Sequence, residues 1–261
     1  FTAMSGKWHL GKTANPINRG FLEYYGLLGG FNSFWNPDVY TRLPKDRNPR
    51  QYKEGEFYAT NVITDYAIDF INQAHQEEKP LFLYLAYNAA HFPLHAPKEV
   101  TDKYMKIYLQ GWDKIRDQRW KRIVKMGLLQ GKPALSPRGV VPESLFEDET
   151  HPLPAWDSLT KEQQTDLARR MAIYAAMIDI MDTNIGRVLD TLQKNGELDN
   201  TFIMFMSDNG ACAEWHEFGF DKQTGTEYHT HVGAELDQMG LPGTYHHYGT
   251  CLLYTSPSPR D

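Results

Sequence analysis

Lys7 and His9 are the first residues in the sequence whose types and spacing suit chemistry. They lie two positions apart between Gly6 and Gly11, so an extended backbone would project both side chains to the same side. The flanking glycines would let that backbone approach a ligand closely. An ammonium beside an imidazole suits an oxyanion, because lysine neutralises charge while histidine hydrogen-bonds or transfers a proton. Alone, such a pair is more often a solvated surface pair, but the seven residues 5–11, Ser-Gly-Lys-Trp-His-Leu-Gly, are far more specific.

His91 is the second candidate and lies in the His- and Pro-rich loop 88–97. The loop follows a short apolar run, Leu81–Tyr87, and a histidine at the carboxyl end of a buried strand is well placed for acid–base work. The prolines of the loop are expected to hold the ring in place. A half-buried histidine that merely caps the strand is an equally good interpretation. His95 is a weaker candidate, for a supporting role, a substrate contact or simple exposure.

Asp208 and Asn209 form the third candidate, directly after the apolar run Thr201–Met206. Carboxylate and amide oxygens are hard ligands that suit Ca²⁺ or Mg²⁺ rather than zinc. A complete site needs about six oxygens, so further carboxylates must come from elsewhere. For the tripeptide Asp-Asn-Gly alone, an ordinary turn is the favoured interpretation.

Other reactive or aromatic side chains give weaker signals. Cys212 has no base fixed beside it, which favours a small buried residue over a nucleophile. Four histidines lack zinc-like spacing with cysteines and are interpreted as substrate contacts, and five aromatic residues either face a sugar ring or pack within insertions. These residues are His229, His231, His246 and His247, and Trp112, Trp156, Trp215, Tyr245 and Tyr248.

Hydrophobic periodicity predicts the elements that must position these residues. The predicted elements are a helix over Glu56–Glu78, a strand buried on both faces over Leu81–Tyr87, a helix from Thr160 to Asn195-Gly196, and a buried strand over Thr201–Met206. Thr160 and Gln163 form a capping box at the start of the second helix. Helix, strand and polar loop, repeated, predict an α/β fold with a largely parallel sheet, whose carboxyl edge would hold both polar loops.

The remaining chain is predicted to be insertion and loop. Residues 112–129 have the spacing of an amphipathic helix, 131–154 contain five prolines and predict a surface insertion, and 210–249 predict mostly loop. We expect one domain over residues 1–250, with an insertion around 98–158.

Composition excludes several classes of protein. The 261 residues carry 33 acidic and 27 basic side chains, a net charge of −6, and 41% are hydrophobic, which excludes a disordered or fibrous chain. A pI near 5.9 without a basic block argues against a nucleic-acid partner. The longest apolar run falls far short of the roughly 20 residues that span a bilayer, so no transmembrane segment is expected. Two cysteines make no disulfide scaffold.

The three constellations, in this order and separation, closely resemble the type I, arylsulfatase-like sulfatases of the alkaline-phosphatase superfamily. Residues 5–11 are similar to the second signature of the family, 84–97 to its central histidine loop, and 181–211 to its helix–strand–metal segment. The resemblance covers residues 1–249. It implies an alkaline-phosphatase-like fold, incomplete here, with a largely parallel or mixed sheet flanked by helices.

The resemblance also implies a role for each matched residue. Lys7 would contact a sulfate oxygen and the nucleophile, His9 would hydrogen-bond the second hydroxyl of the nucleophile, and His91 would stabilise or protonate the leaving alcohol. Asp208 and Asn209 would ligate a divalent ion, usually calcium, that also binds sulfate. Charge that develops on the sulfate oxygens would meet a preorganised lysine and metal.

Two parts of the family pattern do not occur in the sequence. One is the Cys/Ser-x-Pro-x-Arg motif whose first residue becomes the formylglycine nucleophile, and the other is the acidic pair that completes the metal site. Both precede the Lys-Trp-His motif in the family and would lie before Phe1, and Lys222 is not in the context of the second sulfate-binding lysine. We therefore expect a fragment that is inactive as given. Residues 251–261 fit no preceding element and resemble a translated sequencing adaptor, with a native Ser/Pro tail as the alternative.

The function implied is hydrolysis of sulfate esters, with sulfated carbohydrate or a sulfated small molecule as substrate and a formylglycine-generating or maturase enzyme as partner of the full-length protein. The alternatives are a phosphonate or phosphate ester hydrolase of the same superfamily and a noncatalytic relative that binds sulfated glycans. By family, we expect export to the periplasm, the lysosome or the exterior.

Overall fold

The structure, a computed structural model, describes residues 1–11, 13–128, 135, 140–142, 150–210, 218–222 and 228–249. The chain divides into two compact units, Phe1–His95 with Met177–Met204 and Ala96–Ala176 with Phe205–Asp261. Cys212, Trp215 and the tail 251–261, on which the sequence made predictions, lie outside the described residues. The prediction of one domain with an insertion stays a prediction.

A four-stranded mixed sheet lies at the centre of the first unit, in the order β3-β2-β1-β4. Strand β1 (Thr2–Gly6) pairs in parallel with β2 (Glu23–Gly26) on one side and β4 (Phe82–Ala86) on the other. Strand β3 (Thr41–Leu43) is antiparallel to β2. The predicted α/β class with a largely parallel, mixed sheet is confirmed, and the carboxyl ends of β1, β2 and β4 lie at one edge.

Helix α1 (Ala59–Gln76) packs on this sheet, within the predicted range 56–78. Its Ile71 forms a core cluster with Val188 and Leu192 of the long helix 161–194, and Leu83 and Leu85 of β4 pack against that cluster. Phe82 and Tyr84, which alternate with these two residues along β4, are 60% and 50% exposed. The prediction that this strand is buried on both faces is therefore wrong, because the described helices cover one of its faces.

Helix α4 (Lys161–Lys194) begins with the predicted capping box. The Gln163 N–H donates to Thr160 Oγ1 (3.2 Å), and the Thr160 N–H donates to Gln163 Oε1 (3.0 Å). Gly196, with a φ of +74°, ends the helix as predicted, and the following N–H of Glu197 donates to the Leu192 carbonyl.

The apolar run Thr201–Met206 is not a strand. All six residues are exposed, with Phe202 at 85% and Phe205 at 79%, and the sheet formed by the described residues does not include them. The prediction of a buried strand here is wrong. Composition made these residues suitable for a strand, but a strand is buried only where a neighbouring strand and a covering layer exist.

The second unit contains α2 (Lys98–Tyr108), α3 (Trp112–Lys125), the hairpin of β5 (Val140–Pro142) and β6 (Thr150–Pro152), the first part of α4, and α5 (Ala234–Gln238). Helix α3 confirms the predicted helix up to Lys125. Trp112 packs edge-on against Trp156 at 5.0 Å, and both are buried, which agrees with the packing alternative for these aromatic residues. In the part of the chain that the structure describes, no helix combines the length and apolar character needed to cross a bilayer.

Candidate active site

Lys7 lies directly after β1, at the carboxyl edge of the sheet. Its backbone N–H donates to the carbonyl of Ala86, the last residue of β4, at 2.7 Å. The N–H of Trp8 donates to the carbonyl of Leu27, just after β2, at 2.9 Å. The Lys-Trp-His segment is therefore fixed by main-chain hydrogen bonds to the ends of both parallel neighbours of β1.

Two glycines allow the strand ends to approach this closely. Gly6 has a φ of +125°, and a Cβ atom there would lie 1.8 Å from the carbonyl oxygen of Ala86. A Cβ atom on Gly26 would lie 1.8 Å from the carbonyl oxygen of Gly6. No other residue fits at either position without separating the strands. The glycine before Lys7 is thus required by the position of the lysine itself.

The backbone turns at His9, which has a φ of +56°. An extended backbone through Lys7 and His9, assumed in the spacing argument, is therefore not what the structure has. Trp8 anchors the turn, because its Nε1–H donates to the Ala14 carbonyl at 2.6 Å and its ring packs edge-on against Phe21. The position of the His9 ring follows from its neighbours in space rather than from strand alternation.

His9 and His91 both contact the segment Gly30–Phe31. A Cβ atom on Gly30 would lie 2.6 Å from His9 Nε2, so the imidazole occupies the space that a side chain would need. The Phe31 ring stacks on the His91 ring at 6.4 Å with an angle of 13° between the planes, and it meets the buried Phe92 edge-on at 5.2 Å. Because two consecutive residues contact the two imidazoles, both histidines lie near the same segment. The Gly30–Phe31 segment carried no signal in the sequence.

His91 is exposed, and one ring nitrogen is already engaged. Its Nδ1 atom lies 2.8 Å from the carbonyl oxygen of Phe92. A carbonyl oxygen only accepts, so Nδ1 carries the hydrogen and Nε2 is the basic atom of the neutral ring. The Nε2 atom can take up a proton, and it can donate one when the ring is charged.

His95 has a structural role in the same loop. It is fully buried, its Nδ1 accepts the N–H of Phe34 at 3.2 Å, and its carbonyl accepts the Tyr58 hydroxyl at 2.8 Å. Since Nδ1 accepts, the ring is neutral with its hydrogen on Nε2. This agrees with the supporting role among the three interpretations of His95.

Buried hydrogen bonds also fix the start of the histidine loop. The Asn88 amide donates to the Tyr40 hydroxyl at 3.1 Å, and the Tyr87 hydroxyl lies 2.6 Å from Thr64 Oγ1. Burial raises the pKa of Tyr87 to about 12, so this hydroxyl stays protonated at neutral pH. The loop that presents His91 therefore starts from a rigid base.

The comparisons with known proteins decide the family of the chain. The Sulfatase family model matches residues 1–234, which is most of the sequence. The chain belongs to the sulfatase family.

Among the relatives of this sulfatase chain is an uncharacterized sulfatase of Schizosaccharomyces pombe, 39% identical over 81% of this chain and 39% of the relative. The arylsulfatase of Klebsiella aerogenes is 31% identical over 99% of this chain and 54% of its own length. The N-acetylglucosamine-6-O-sulfatase of Bacteroides thetaiotaomicron is 27% identical over 85% and 44%. The sulfatase chain thus spans between 39% and 54% of the length of these relatives.

The predicted metal ligands of the sulfatase chain, Asp208 and Asn209, lie in the second unit, whereas Lys7, His9 and His91 lie in the first. Both are exposed, and the Ser207 hydroxyl donates to the Asn209 carbonyl at 2.6 Å. Their accessible carboxylate and amide oxygens fit a hard cation such as Ca²⁺. The convergence of these two residues with the other three stays a prediction.

The structure groups Asp221 with His231 and His246, two histidines that the sequence analysis interpreted as substrate contacts. Asp221, His231 and His246 each offer a donor atom within 4.8 Å of those of the other two. Burial lowers the pKa of His246, which keeps this imidazole neutral at neutral pH. Nothing in the sequence signalled this group, because its members are ten and fifteen positions apart in a segment without periodicity.

Proposed function

We propose that the whole protein hydrolyses sulfate esters through a site to which this chain contributes Lys7, His9 and His91. The observation that carries the proposal is that these residues follow two adjacent parallel strands, with both imidazoles against Gly30–Phe31. Ligands of open α/β sheets bind at this edge. The match to the Sulfatase family model over residues 1–234 supports the same reaction.

Each of the three side chains has a chemical task in this proposal. The Lys7 ammonium neutralises charge on the sulfate oxygens, and this interaction strengthens as charge builds up in the transition state. His9 hydrogen-bonds the nucleophile and helps its intermediate to break down. His91 holds a proton at Nε2 for the leaving alcohol oxygen, while the bond from Nδ1 to the Phe92 carbonyl keeps the ring oriented.

Asp208 and Asn209 are proposed to hold a calcium ion, or magnesium, in the whole protein. When bound, such an ion neutralises charge on a sulfate oxygen. These residues offer two of the roughly six oxygens that calcium takes, so further ligands must come from other parts of the protein. The proposed nucleophile is a formylglycine, for which residues 1–261 contain no Cys/Ser-x-Pro-x-Arg motif, and a formylglycine-generating or maturase enzyme would produce it.

The proposed substrates are sulfated carbohydrates, acted on by an exported enzyme. One relative of the chain is named an N-acetylglucosamine-6-O-sulfatase. Phe31 is 42% exposed beside His91, and such an aromatic surface can pack against the face of a sugar ring.

The test uses the whole protein, produced together with a maturase. Initial rates are measured on para-nitrophenyl sulfate and para-nitrophenyl phosphate, and sulfate release is measured from N-acetylglucosamine 6-sulfate. We expect turnover of the sulfate esters in clear preference to the phosphate ester, and none by the 261-residue chain alone. A preference for phosphate would favour the phosphoryl hydrolase alternative. Metal-dependent hydrolysis by the 261-residue chain would refute the proposal that the nucleophile comes from another part of the protein.

Gly30→Ala is expected to lower the activity of the whole protein while leaving the fold intact. The new methyl group would overlap His9 Nε2, and the exposed imidazole can only swing away. A displacement of this size lowers kcat/KM by between about tenfold and a hundredfold. The control is Gly29→Ala, because a Cβ atom there meets no atom within 4 Å. Equal activity of the two variants, with unchanged circular dichroism spectra, would show that the position of His9 does not matter.

A further inference from the structure

Asp221, His231 and His246 form a compact group in the second unit, here called the Asp-His-His cluster. One donor atom from each lies within 4.8 Å of one from each of the others. His231 and His246 are 5% and 6% exposed, and the side chain of Asp221 is 5% exposed. The rings of the two histidines are 4.7 Å apart and nearly perpendicular. Two imidazoles and a carboxylate thus meet at a nearly closed site formed by loop segments.

Asp166, which is outside the cluster, orients one of its imidazoles, and Asp221 faces the other. His231 Nδ1 lies 2.7 Å from Asp166 Oδ1, and His246 Nδ1 lies 3.0 Å from Asp221 Oδ1. An ionised carboxylate only accepts, so His231 Nδ1 donates to Asp166 and its Nε2 is the nitrogen left for a ligand, whereas His246 Nδ1 and Asp221 Oδ1 are close enough to bind one ion together. Metal-binding histidines are commonly held as His231 is, with the second ring nitrogen donating to a carboxylate.

The charges around the cluster leave room for a cation. Arg170 is fully buried and donates to Asp166 at 2.9 Å and to Asp221 at 2.5 Å. One guanidinium therefore faces two carboxylates and can balance only one of their two charges. Unbalanced buried charge is costly, and a bound cation would offset it.

We propose that the Asp-His-His cluster binds one zinc ion or a similar divalent transition metal. Imidazole nitrogens with a carboxylate oxygen are a donor set that suits zinc, in contrast to the hard oxygens of Asp208 and Asn209. A fourth donor would come from outside this group of three, and His229 is placed to supply it, since its ring lies 3.9 Å from the His231 ring and its Nδ1 lies 3.5 Å from Asp221 Oδ2. The His229 side chain is 61% exposed, so a water molecule can take its place as the fourth ligand of the ion.

Such an ion would join the segments 218–222 and 228–249 of the second unit. Because metal binding stabilises only the folded form, zinc is expected to raise the resistance of the second unit to unfolding. The proposal does not depend on sulfatase activity, and its test needs none.

The test uses the tag-free 261-residue chain, stripped of metal with EDTA. Zinc is titrated in competition with a chromophoric chelator, and cobalt is added separately to report the coordination geometry. We expect one zinc per chain and the intense visible absorption of tetrahedral cobalt. Absence of stoichiometric zinc binding, or the weak spectrum of octahedral cobalt, would overturn the proposal.

Variants assign the bound ion to the cluster. His231→Gln and His246→Gln are each expected to weaken zinc binding by more than about a hundredfold, and Asp166→Asn, which only orients a ligand, by about 10–100-fold. The control His75→Gln removes an exposed histidine that also pairs with a carboxylate, that of Glu197, and should bind zinc like the native chain. Native-like binding by both cluster variants would overturn the proposal. If a variant does not fold, the zinc stoichiometry and the cobalt spectrum of the native chain still test the proposal.

Loss of zinc binding in Asp208→Ala would also contradict the assignment, since it would show that the zinc binds at Asp208 and Asn209 instead of the Asp-His-His cluster. We expect this variant to keep its zinc. Failure of the zinc proposal and failure of the proposed calcium site can therefore be told apart.

Discussion

Replacing Arg170 by methionine is expected to lower the free energy of unfolding by about 3–5 kcal/mol, the cost of removing one partner from a buried ion pair. The guanidinium is fully buried in α4 and donates to Asp166, to Asp221 and to the carbonyl of His247 at 2.8 Å. It also lies 5.0 Å from the centre of the Tyr228 ring. No other described cation of fixed charge lies against the two carboxylates, so the variant leaves both of them buried without a counter-charge.

Methionine is chosen because it retains much of the apolar stem of arginine, so the loss reports the charge rather than a cavity. The measurement is the urea midpoint of the 261-residue chain, followed by circular dichroism and by tryptophan fluorescence, to which Trp112 and Trp156 of the same unit contribute.

Arg169→Met is the matched control, one position earlier in the same helix. Arg169 pairs with Asp102, whose side chain is 45% exposed and also binds Lys98. Its Nε and Nη2 atoms are buried without a described hydrogen-bond partner. The Arg169 side chain is buried, at 3% exposed, but the carboxylate that it leaves behind is half exposed and keeps Lys98. Loss of this pair is therefore worth about 1 kcal/mol or less, and removal of the two unsatisfied buried nitrogens is stabilising. If the urea midpoints of the two variants fall equally, the ion pairs of Arg170 with Asp166 and Asp221 stabilise the fold no more than the Arg169–Asp102 pair does.

The long helices could be predicted because their signals are local. Helix α4 has its stop at Gly196 and its capping box at Thr160 and Gln163, which the structure shows as reciprocal hydrogen bonds. Helix α1 has apolar residues at regular helical spacing. The place of Lys7 beside the end of β4 was not predicted, because the periodicity indicated no strand at residues 2–6 or 23–26.

Features made by tertiary contact could not be predicted. The Thr201–Met206 run has the composition of a strand, yet the described sheet offers it no neighbour. Gly30 and Phe31 carry no motif, and their importance lies only in what they touch. The Asp-His-His cluster likewise joins residues whose spacing means nothing until the loops fold around Arg170. Periodicity and motifs report neighbours in sequence, whereas these three features depend on neighbours in space.

Lys7→Met is expected to lower kcat of the whole protein on sulfate esters by between about a hundredfold and a thousandfold, as loss of one preorganised charge-stabilising group does. The fold should be kept, because the bond that fixes Lys7 to Ala86 comes from the backbone N–H and survives the substitution. Methionine keeps the length of the side chain and removes only the ammonium. KM should change less than kcat, since the developing charge of the transition state needs the ammonium more than the substrate does.

The control for Lys7 is Lys79→Met, which removes a lysine near the opposite, amino end of β4. Lys79 is exposed and pairs only with the exposed Glu77 among the described residues, so its loss should leave kcat unchanged. The two variants change net charge equally, and a difference between them therefore measures position rather than charge. If Lys7→Met instead raises KM with kcat intact, the ammonium binds sulfate without stabilising the transition state. If neither constant changes, Lys7 has no part in the reaction, and the site must be sought away from the edge shared by β1 and β4.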